Sequence, residues 1–310
     1  MAFVGRQTGV LELNGLRRRY GDVVALDGLS FTVPPGQVFG FLGPNGAGKT
    51  TTIEILEGYR GPDEGRVQVL GLDPFAQGRR LRPRIGAMLQ EGGLYPAISA
   101  RDALRLFATF YEHPRAAGDL LRLVGLEDAA GTRYRRLSGG QKQRLSLALA
   151  IVGNPELVFL DEPTAGLDPQ ARRATWDLIR SLQSDGVTVL LSTHYIEEAE
   201  RLADRVAILE RGRLVASGSP RALVQVDRCK VRLRTSAAIE TDALLALPCC
   251  RKVESPDACH YVLHTDDVPE MLVQVTVYLR DVDVGITDIG VGQGTLEDVF
   301  LQLTGRQFDS

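Results

Sequence analysis

The chain has 310 residues, 44% of them hydrophobic and 24% charged, with a formal net charge of -3. That length admits one large domain or two, and the charge excludes the basic field on which nucleic-acid binding leans. The longest apolar runs, such as Leu145–Val152, fall far short of the roughly 20 residues needed to cross a bilayer, and the N-terminus carries no signal-peptide pattern. A cytoplasmic chain is expected, and any membrane work falls to a partner.

Residues 9–33 alternate apolar and polar, which predicts short half-buried antiparallel strands with turns at Gly15 and Gly21-Asp22. Tyr20 lies among them, either as a core aromatic or as a flat ring for a base to stack on. The apolar run Val38–Leu42 then reads as a buried strand, and Thr52–Leu56 as the start of a helix. Between them stands Gly43-Pro44-Asn45-Gly46-Ala47-Gly48-Lys49-Thr50-Thr51, the pattern G-x-x-x-x-G-K-[ST] in its strand–loop–helix context. Glycines there let successive N–H groups turn inward around a phosphate, and the helix adds its positive dipole end. Lys49 offers a charge to the outer phosphates and Thr50 a hydroxyl to Mg²⁺. The only other lysines are Lys142, Lys230 and Lys252, so a lysine here is not background.

Arg66–Leu70 reads as a strand, Arg79–Arg84 as solvated basic surface, and Ile85–Gln90 as a buried strand ending on an amide. Helical periodicity at Asp102–Tyr111 and Asp119–Val124 makes residues 91–136 a helical insertion. Next comes Leu137-Ser138-Gly139-Gly140-Gln141, followed by a helix over Lys142–Val152. Ser138 is either a plain N-cap or part of a second anion-binding helix start. Leu157–Leu160 is an apolar strand that runs into Asp161-Glu162, two carboxylates that are costly at a buried strand end unless used. Asp161 suits Mg²⁺ held through water, and Glu162 suits proton abstraction from an attacking water. Asp168 sits in the turn before the helix Ala171–Ser184, and the strand Val187–Ser192 ends at Thr193-His194. Four strand ends, at Leu42, Gln90, Asp161 and His194, thus each present a polar group. Alternating strands and helices bind ligands at the carboxyl ends, which points to one shared site.

From about residue 228 the texture changes. Strand-like Val231–Arg234, helix-like Thr241–Leu247, strand-like 260–264, a helix near Val268–Leu279 and a strand at 284–291 suggest a β-α-β-β-α-β order. A small α+β domain over 228–310 is expected, closed by a helix at Leu296–Thr304. Its cysteines, Cys229, Cys249, Cys250 and Cys259, match no zinc spacing and read as buried or idle thiols.

Taken together, the motifs resemble the nucleotide-binding subunit of an ABC transporter over residues 9–220. Tyr20 matches the adenine platform, Gly43–Thr51 the Walker A loop and Gln90 the Q-loop glutamine. Leu137–Gln141 matches the LSGGQ signature, Leu157–Asp161 Walker B, Glu162 the catalytic carboxylate, Gly166-Leu167-Asp168 the D-loop and His194 the switch histidine. The resemblance implies an α/β P-loop NTPase fold: a mixed RecA-like sheet core with an antiparallel β subdomain and a helical subdomain. It implies ATP and Mg²⁺, catalytic roles for Glu162, His194 and Gln90, and metal contacts from Thr50, Gln90 and Asp161. Ser138, Gly139, Gly140, Gln141 and Asp168 would meet nucleotide across a head-to-tail dimer, with a second copy or a paralogous ATPase. A separate transmembrane permease would hold the chain at the cytoplasmic face of the membrane.

Gly294–Gly305, with Tyr195–Glu200, further resembles the daunorubicin-resistance type of exporter, which implies a regulatory or dimer-supporting C-terminal domain. The alternatives are an importer ATPase, or a soluble ABC ATPase acting on ribosomes or DNA. Against the latter stand the single cassette and the absence of heptads and of a basic face.

Overall fold

The structure, a computed structural model, describes residues 9–88, 93–224, 230–292 and 296–304. After Pro220 the chain divides into two units. The first contains β1 (Leu11–Tyr20), β2 (Val23–Val33), β3 (Val38–Leu42), α1 (Lys49–Leu56), β4 (Glu64–Val69), α2 (Gly78–Leu81), β5 (Ile85–Met88), α3 (Ala100–Ala108), α4 (Ala117–Leu123) and α5 (Gly139–Ala150). It continues through β6 (Leu157–Asp161), α6 (Pro169–Ser184), β7 (Thr188–Thr193), α7 (Ile196–Leu202), β8 (Arg205–Glu210) and β9 (Arg213–Gly218).

Six of these strands form one sheet in the order β5-β6-β7-β3-β8-β9, parallel except for the last. Its central strands are apolar along their length because both faces are covered. Val38, Val158, Leu160, Val189 and Leu191 enter one core with Leu104, Leu121, Leu145 and Trp176 of the helices. Their sequence neighbours Phe39, Phe41, Leu157, Phe159 and Leu190 enter a second core with Leu11, Leu26, Ile53 and Val69. Each such side chain contributes ~1.5–3 kcal/mol on burial. Phe31, Phe39 and Phe41 lock the second core, with ring centroids 5.1–5.7 Å apart.

The register also gathers the strand ends. Leu42 pairs with Thr193 and Asp161 with Ser192, so the residues that follow (Gly43, Glu162 and His194) emerge side by side on one edge. The expected antiparallel part is a sheet β2-β1-β4. Gly21-Asp22 forms its hairpin turn, joining Tyr20 to Val23. Gly15 makes no turn. It is a bulge inside β1, where Asn14 and Gly15 face the single residue Ser30 between the pairs Leu13–Phe31 and Leu16–Leu29. The backbone absorbs the extra residue at φ 63°, and Gly15 N–H donates to Ser30 Oγ at 2.8 Å. The basic run 79–84 is partly helical: Leu81 is buried, and Arg84 forks onto the two carboxylate oxygens of Glu156 at 2.6 and 2.8 Å.

The second unit follows a short α8 (Pro220–Val224) with β10 (Lys230–Thr235), α9 (Thr241–Leu245), β11 (Cys250–Asp257), β12 (His260–Thr265), α10 (Val268–Asp281), β13 (Ile286–Gly292) and α11 (Leu296–Thr304). Its sheet runs β11-β12-β10-β13 and is antiparallel throughout, which is a split βαβ arrangement. Val231, Leu233, Tyr261 and Leu263 on one face pack on Leu244, Met271, Val275 and Leu279 of the helices. The Tyr261 hydroxyl accepts from Ile239 N–H at 2.6 Å, and its acceptors Ile239 O and Ala258 O lie at 2.9 and 2.8 Å. Cys249 is exposed rather than buried, while Cys250 and Cys259 are half-buried and unpaired. Cys229 lies outside the described residues.

Candidate active site

The loop between β3 and α1 owes its shape to steric facts. Gly48, the N-cap of α1, sits at φ 103°, and a Cβ there would come within 2.7 Å of Ala25 O and 2.8 Å of Leu26 Cδ2. With no acidic residue in the first turn of α1, nothing opposes its dipole at the loop. Lys49 is only 7% exposed, and its Nζ donates to Gly43 O at 2.6 Å, with Pro44 O at 3.4 Å. Burial lowers its pKa, while the charges of Glu162 and Asp161 pull it back up. The ammonium is held against the loop it would leave for a phosphate.

Across the cleft, Asp161 is 7% exposed at the end of β6 and bonded to Ser192 Oγ. Burial raises its pKa, against the pull of the Ser192 bond, Lys49 and Thr50. Glu162 lies at φ 51°, a strained setting for a non-glycine residue, and two bonds hold it there. Its N–H donates to Ser192 O at 3.1 Å, and its carbonyl accepts from Gln143 Nε2 of α5 at 2.9 Å. The backward turn brings Glu162 Oε2 to 2.7 Å from His194 Nδ1 and 3.4 Å from His194 N. Burial raises the Glu162 pKa, with His194 and Lys49 opposing. A desolvated carboxylate against an imidazole is equipped to take a proton from water.

These groups line one cleft of about 400 Å³ with Tyr20, Val23, Val24, Ala25, Pro44, Asn45, Gly46, Gly48, Thr50 and Thr51. Gly43 and Ala47 are not on that lining; Ala47 is buried, and its carbonyl accepts from Gly212 N–H at 3.0 Å. Tyr20, 37% exposed, is steadied by the guanidinium carbons of Arg18 and Arg60 at 5.0 and 5.5 Å from its ring centre. Arg18 is itself tied to Asp63 at 2.6 Å.

Ser138, Gly139, Gly140, Gln141 and Asp168 are absent from that lining. Ser138 caps α5 in a reciprocal box: its Oγ accepts from Gln141 N–H at 3.2 Å and its N–H donates to Gln141 Oε1 at 2.9 Å. Asp168 caps α6 through Gln170 and Ala171 N–H at 3.0 and 2.9 Å, bonds that hold its pKa low. Within one chain, then, the phosphate loop and the Ser138 helix are parts of different surfaces. Gln90 lies outside the described residues.

A sequence model described as "ABC transporter" matches residues 26–165. Nod factor export ATP-binding protein I of Ralstonia nicotianae is 37% identical over 306 residues, 97% of this chain and 95% of its own length. Daunorubicin resistance ATP-binding protein DrrA3 of Streptomyces coeruleorubidus is 39% identical over 303 residues, 95% of this chain and 96% of its own. The chain belongs to the ATP-binding subunits of ABC transporters. Among solved structures, an ABC transporter ATP-binding subunit is similar at 30% identity and TM-score 0.65, covering 70% of this chain and 92% of that one. A dimeric ATP-binding cassette in a post-hydrolysis state with ADP and phosphate is similar at 27% identity and TM-score 0.61, covering 67% and 98%.

ATP-binding subunits of this family bind ATP, work with transmembrane subunits and dimerise. No helix among the described residues is long and apolar enough to cross a membrane. Among those residues no three His, Cys, Asp or Glu side chains converge to hold a metal by themselves. The oxygen donors on the cleft, Thr50 and the buried Asp161, fit a hard cation that takes its remaining ligands from phosphate and water.

Several supporting residues of this ABC subunit escape a reading of its motifs. Ser192 and Gln143, which hold Asp161 and Glu162, carry weak signals: a lone hydroxyl in an apolar strand and a polar residue near a helix start. Glu57, the C-cap of α1, is 5% exposed, and burial pushes its pKa up to about 8, with Asp161 and Glu54 adding to the rise. The folded state thus favours its neutral form. The stability this contributes is full below pH ~4.5 and is lost as pH rises through about 8. Glu57→Gln should therefore stabilise the nucleotide-free protein more at pH 9 than at pH 5, by at most ~5 kcal/mol. Urea denaturation at both pH values measures this, and an equal change at the two would contradict it.

Proposed function

We propose that this chain is the ATP-hydrolysing half of an exporter whose membrane-spanning half is a separate polypeptide. The observation that carries the reading is the constellation of buried Lys49 and Asp161 with half-buried Glu162 and His194 on one edge of the sheet. Such a group is suited to hydrolysis rather than to binding alone. In the proposed cycle, ATP lays its adenine on Tyr20 and its phosphates in the loop from Gly43 to Thr51. Lys49 turns from Gly43 O to the outer phosphates, and His194 holds the γ-phosphate. Thr50, Asp161 and Gln90 would hold Mg²⁺, which would draw charge from the phosphate oxygens. Glu162 takes the proton of the attacking water, and Lys49 and His194 stabilise the charge that develops.

The other wall of the site comes from a second subunit. Exposed Ser138 and half-buried Gly140 stand at the start of a twelve-residue helix, with Gly140 against Leu167, the residue before Asp168. A head-to-tail pair of chains would seat each Ser138 on the other's nucleotide. The closed cleft excludes water except the attacking one, and phosphate release reopens the dimer. Exposed Tyr59 and Phe75, 59% and 66% accessible, lie beside the turn at Gly58–Gly61 and offer apolar contact to a membrane subunit.

Export rather than import is supported by similarity across both units to the two export and resistance proteins. The C-terminal unit would then regulate or support the dimer. Localisation follows: peripheral, at the cytoplasmic face, by way of the permease. Affinity capture of the full chain from detergent-solubilised membranes, with protein identification, tests the partnership. A polytopic membrane protein is expected. Ribosomal proteins or nucleic acid in its place would support the soluble alternative and overturn this one.

A further inference from the structure

Behind the Glu162–His194 pair lies an acid with no part in the cycle just described. Glu198, on α7, is fully buried. Its Oε1 accepts from Nε1 of Trp176, the chain's single tryptophan, at 3.1 Å. Arg201, one turn further along α7, lies with its guanidinium carbon 5.1 Å from the centre of the same indole ring. Burial pushes the Glu198 pKa up, and the Thr193, Trp176 and Thr164 side chains pull it back down, so both hydroxyls lie near its carboxyl. Yet Glu198 Oε2 and the buried Thr164 Oγ1 each lack a well-formed hydrogen bond among the described residues. Thr193 immediately precedes His194, and its Oγ1 accepts from Tyr195 N–H at 3.0 Å. Thr164 follows Glu162 by two residues.

We infer that Glu198 is a positioning residue for hydrolysis: anchored on Trp176, it spans Thr164 and Thr193 and sets the spacing between the turns that carry Glu162 and His194. An orphaned acceptor beside an orphaned hydroxyl is a contact poised to form. It completes when nucleotide draws the two turns together. Because the anchor is the only indole, each change at this contact is written into Trp176 emission.

The inference rests on Glu162 and His194 acting in hydrolysis, so the experiment separates the two claims. Full-length native protein, Glu198→Ala, Glu198→Gln, Thr164→Val and Glu162→Gln are compared with MgATP. Glu198→Ala should lose about 100-fold in kcat with KM and ATP affinity within about threefold, the pattern of a misplaced catalytic group. Glu198→Gln, which keeps polar contacts for Trp176 and Thr164, should recover most of that loss. Thr164→Val removes one hydroxyl at nearly constant volume and should lower kcat in the same direction. MgATP should shift Trp176 emission in the native protein and not in Glu198→Ala. In nucleotide-free Glu198→Ala, hydrogen exchange should quicken at residues 162–168 and 193–199 at unchanged Tm.

Native kcat in both Glu198→Ala and Thr164→Val would overturn the inference. So would losses in Glu198→Ala that Glu198→Gln does not relieve and that track a fall in Tm. If Glu162→Gln turns over like the native protein, the assignment of the base fails instead. Exchange and emission then still decide whether Glu198 holds the two turns.

Discussion

Glu162→Gln is expected to cut ATP turnover by about 10²–10⁴-fold, the usual worth of a general base, while leaving ATP affinity nearly unchanged. The substitution keeps the shape of the side chain and removes only its ability to take a proton. The backbone that aims it is held from both sides, by Ser192 O and Gln143 Nε2, so the amide would occupy the same place. His194 Nδ1, 2.7 Å away, would still find an oxygen. With binding intact and chemistry blocked, the variant should accumulate as an ATP-bound dimer. Phosphate release and size-exclusion chromatography with ATP report the two halves of this expectation. Turnover at the native rate would remove Glu162 from the role of base.

Lys49→Ala should fail earlier, at binding. Its ammonium is held 2.6 Å from Gly43 O in a site where burial already lowers its pKa, so its bonds to phosphate form with little water to compete. Hydrogen bonds to charged groups are worth about 1.5–3 kcal/mol, which predicts nucleotide affinity lower by roughly one to two powers of ten. The same change removes the positive charge of Lys49 that acts on both Asp161 and Glu162, so turnover of whatever binds should fall as well. Titration with a fluorescent ATP analogue measures the loss. Unchanged affinity would contradict the reading of the loop as the phosphate cradle.

Much of this architecture was legible in the residues because burial on both faces leaves no alternation to misread. Val38–Leu42 and Leu157–Leu160 are apolar end to end, Val187–Ser192 departs from that only at Thr188 and Ser192, and all three are central strands. Their parallel order explains why the polar residues at their ends converge. Elements whose pattern depends on one exposed side were harder to read. The strand Cys250–Asp257 had no range of its own in the sequence because it is a polar edge strand, where Pro256 needs no donor. Gly15 carries a turn residue's signature, yet both its flanks pair with one partner strand, so the same backbone freedom serves a bulge.

At the site, the motif residues on the cleft were readable from their spacing, but Val23, Val24 and Ala25, which also line it, lie in no motif. The residues that hold the catalytic groups in place were not readable either. Glu198 stands in Ile196–Leu202, where acids at helical spacing look like a solvated face, and only the fold turns that face onto Trp176. Ser138 has two readings in the sequence, as a cap and as an anion site. Within one chain it is a cap, and its second role requires another molecule.

That second molecule is the central claim, and mixing two disabled chains tests it. Lys49→Ala removes the phosphate-loop half of a site, and Ser138→Arg blocks the helix-start half. Each alone should be inactive. In a mixed dimer with two-fold symmetry, one site carries both defects and the other carries neither. Combining the two variants should therefore restore ATP hydrolysis, measured as phosphate release. If the mixture stays as inactive as its components, the site is not shared between chains and the account fails.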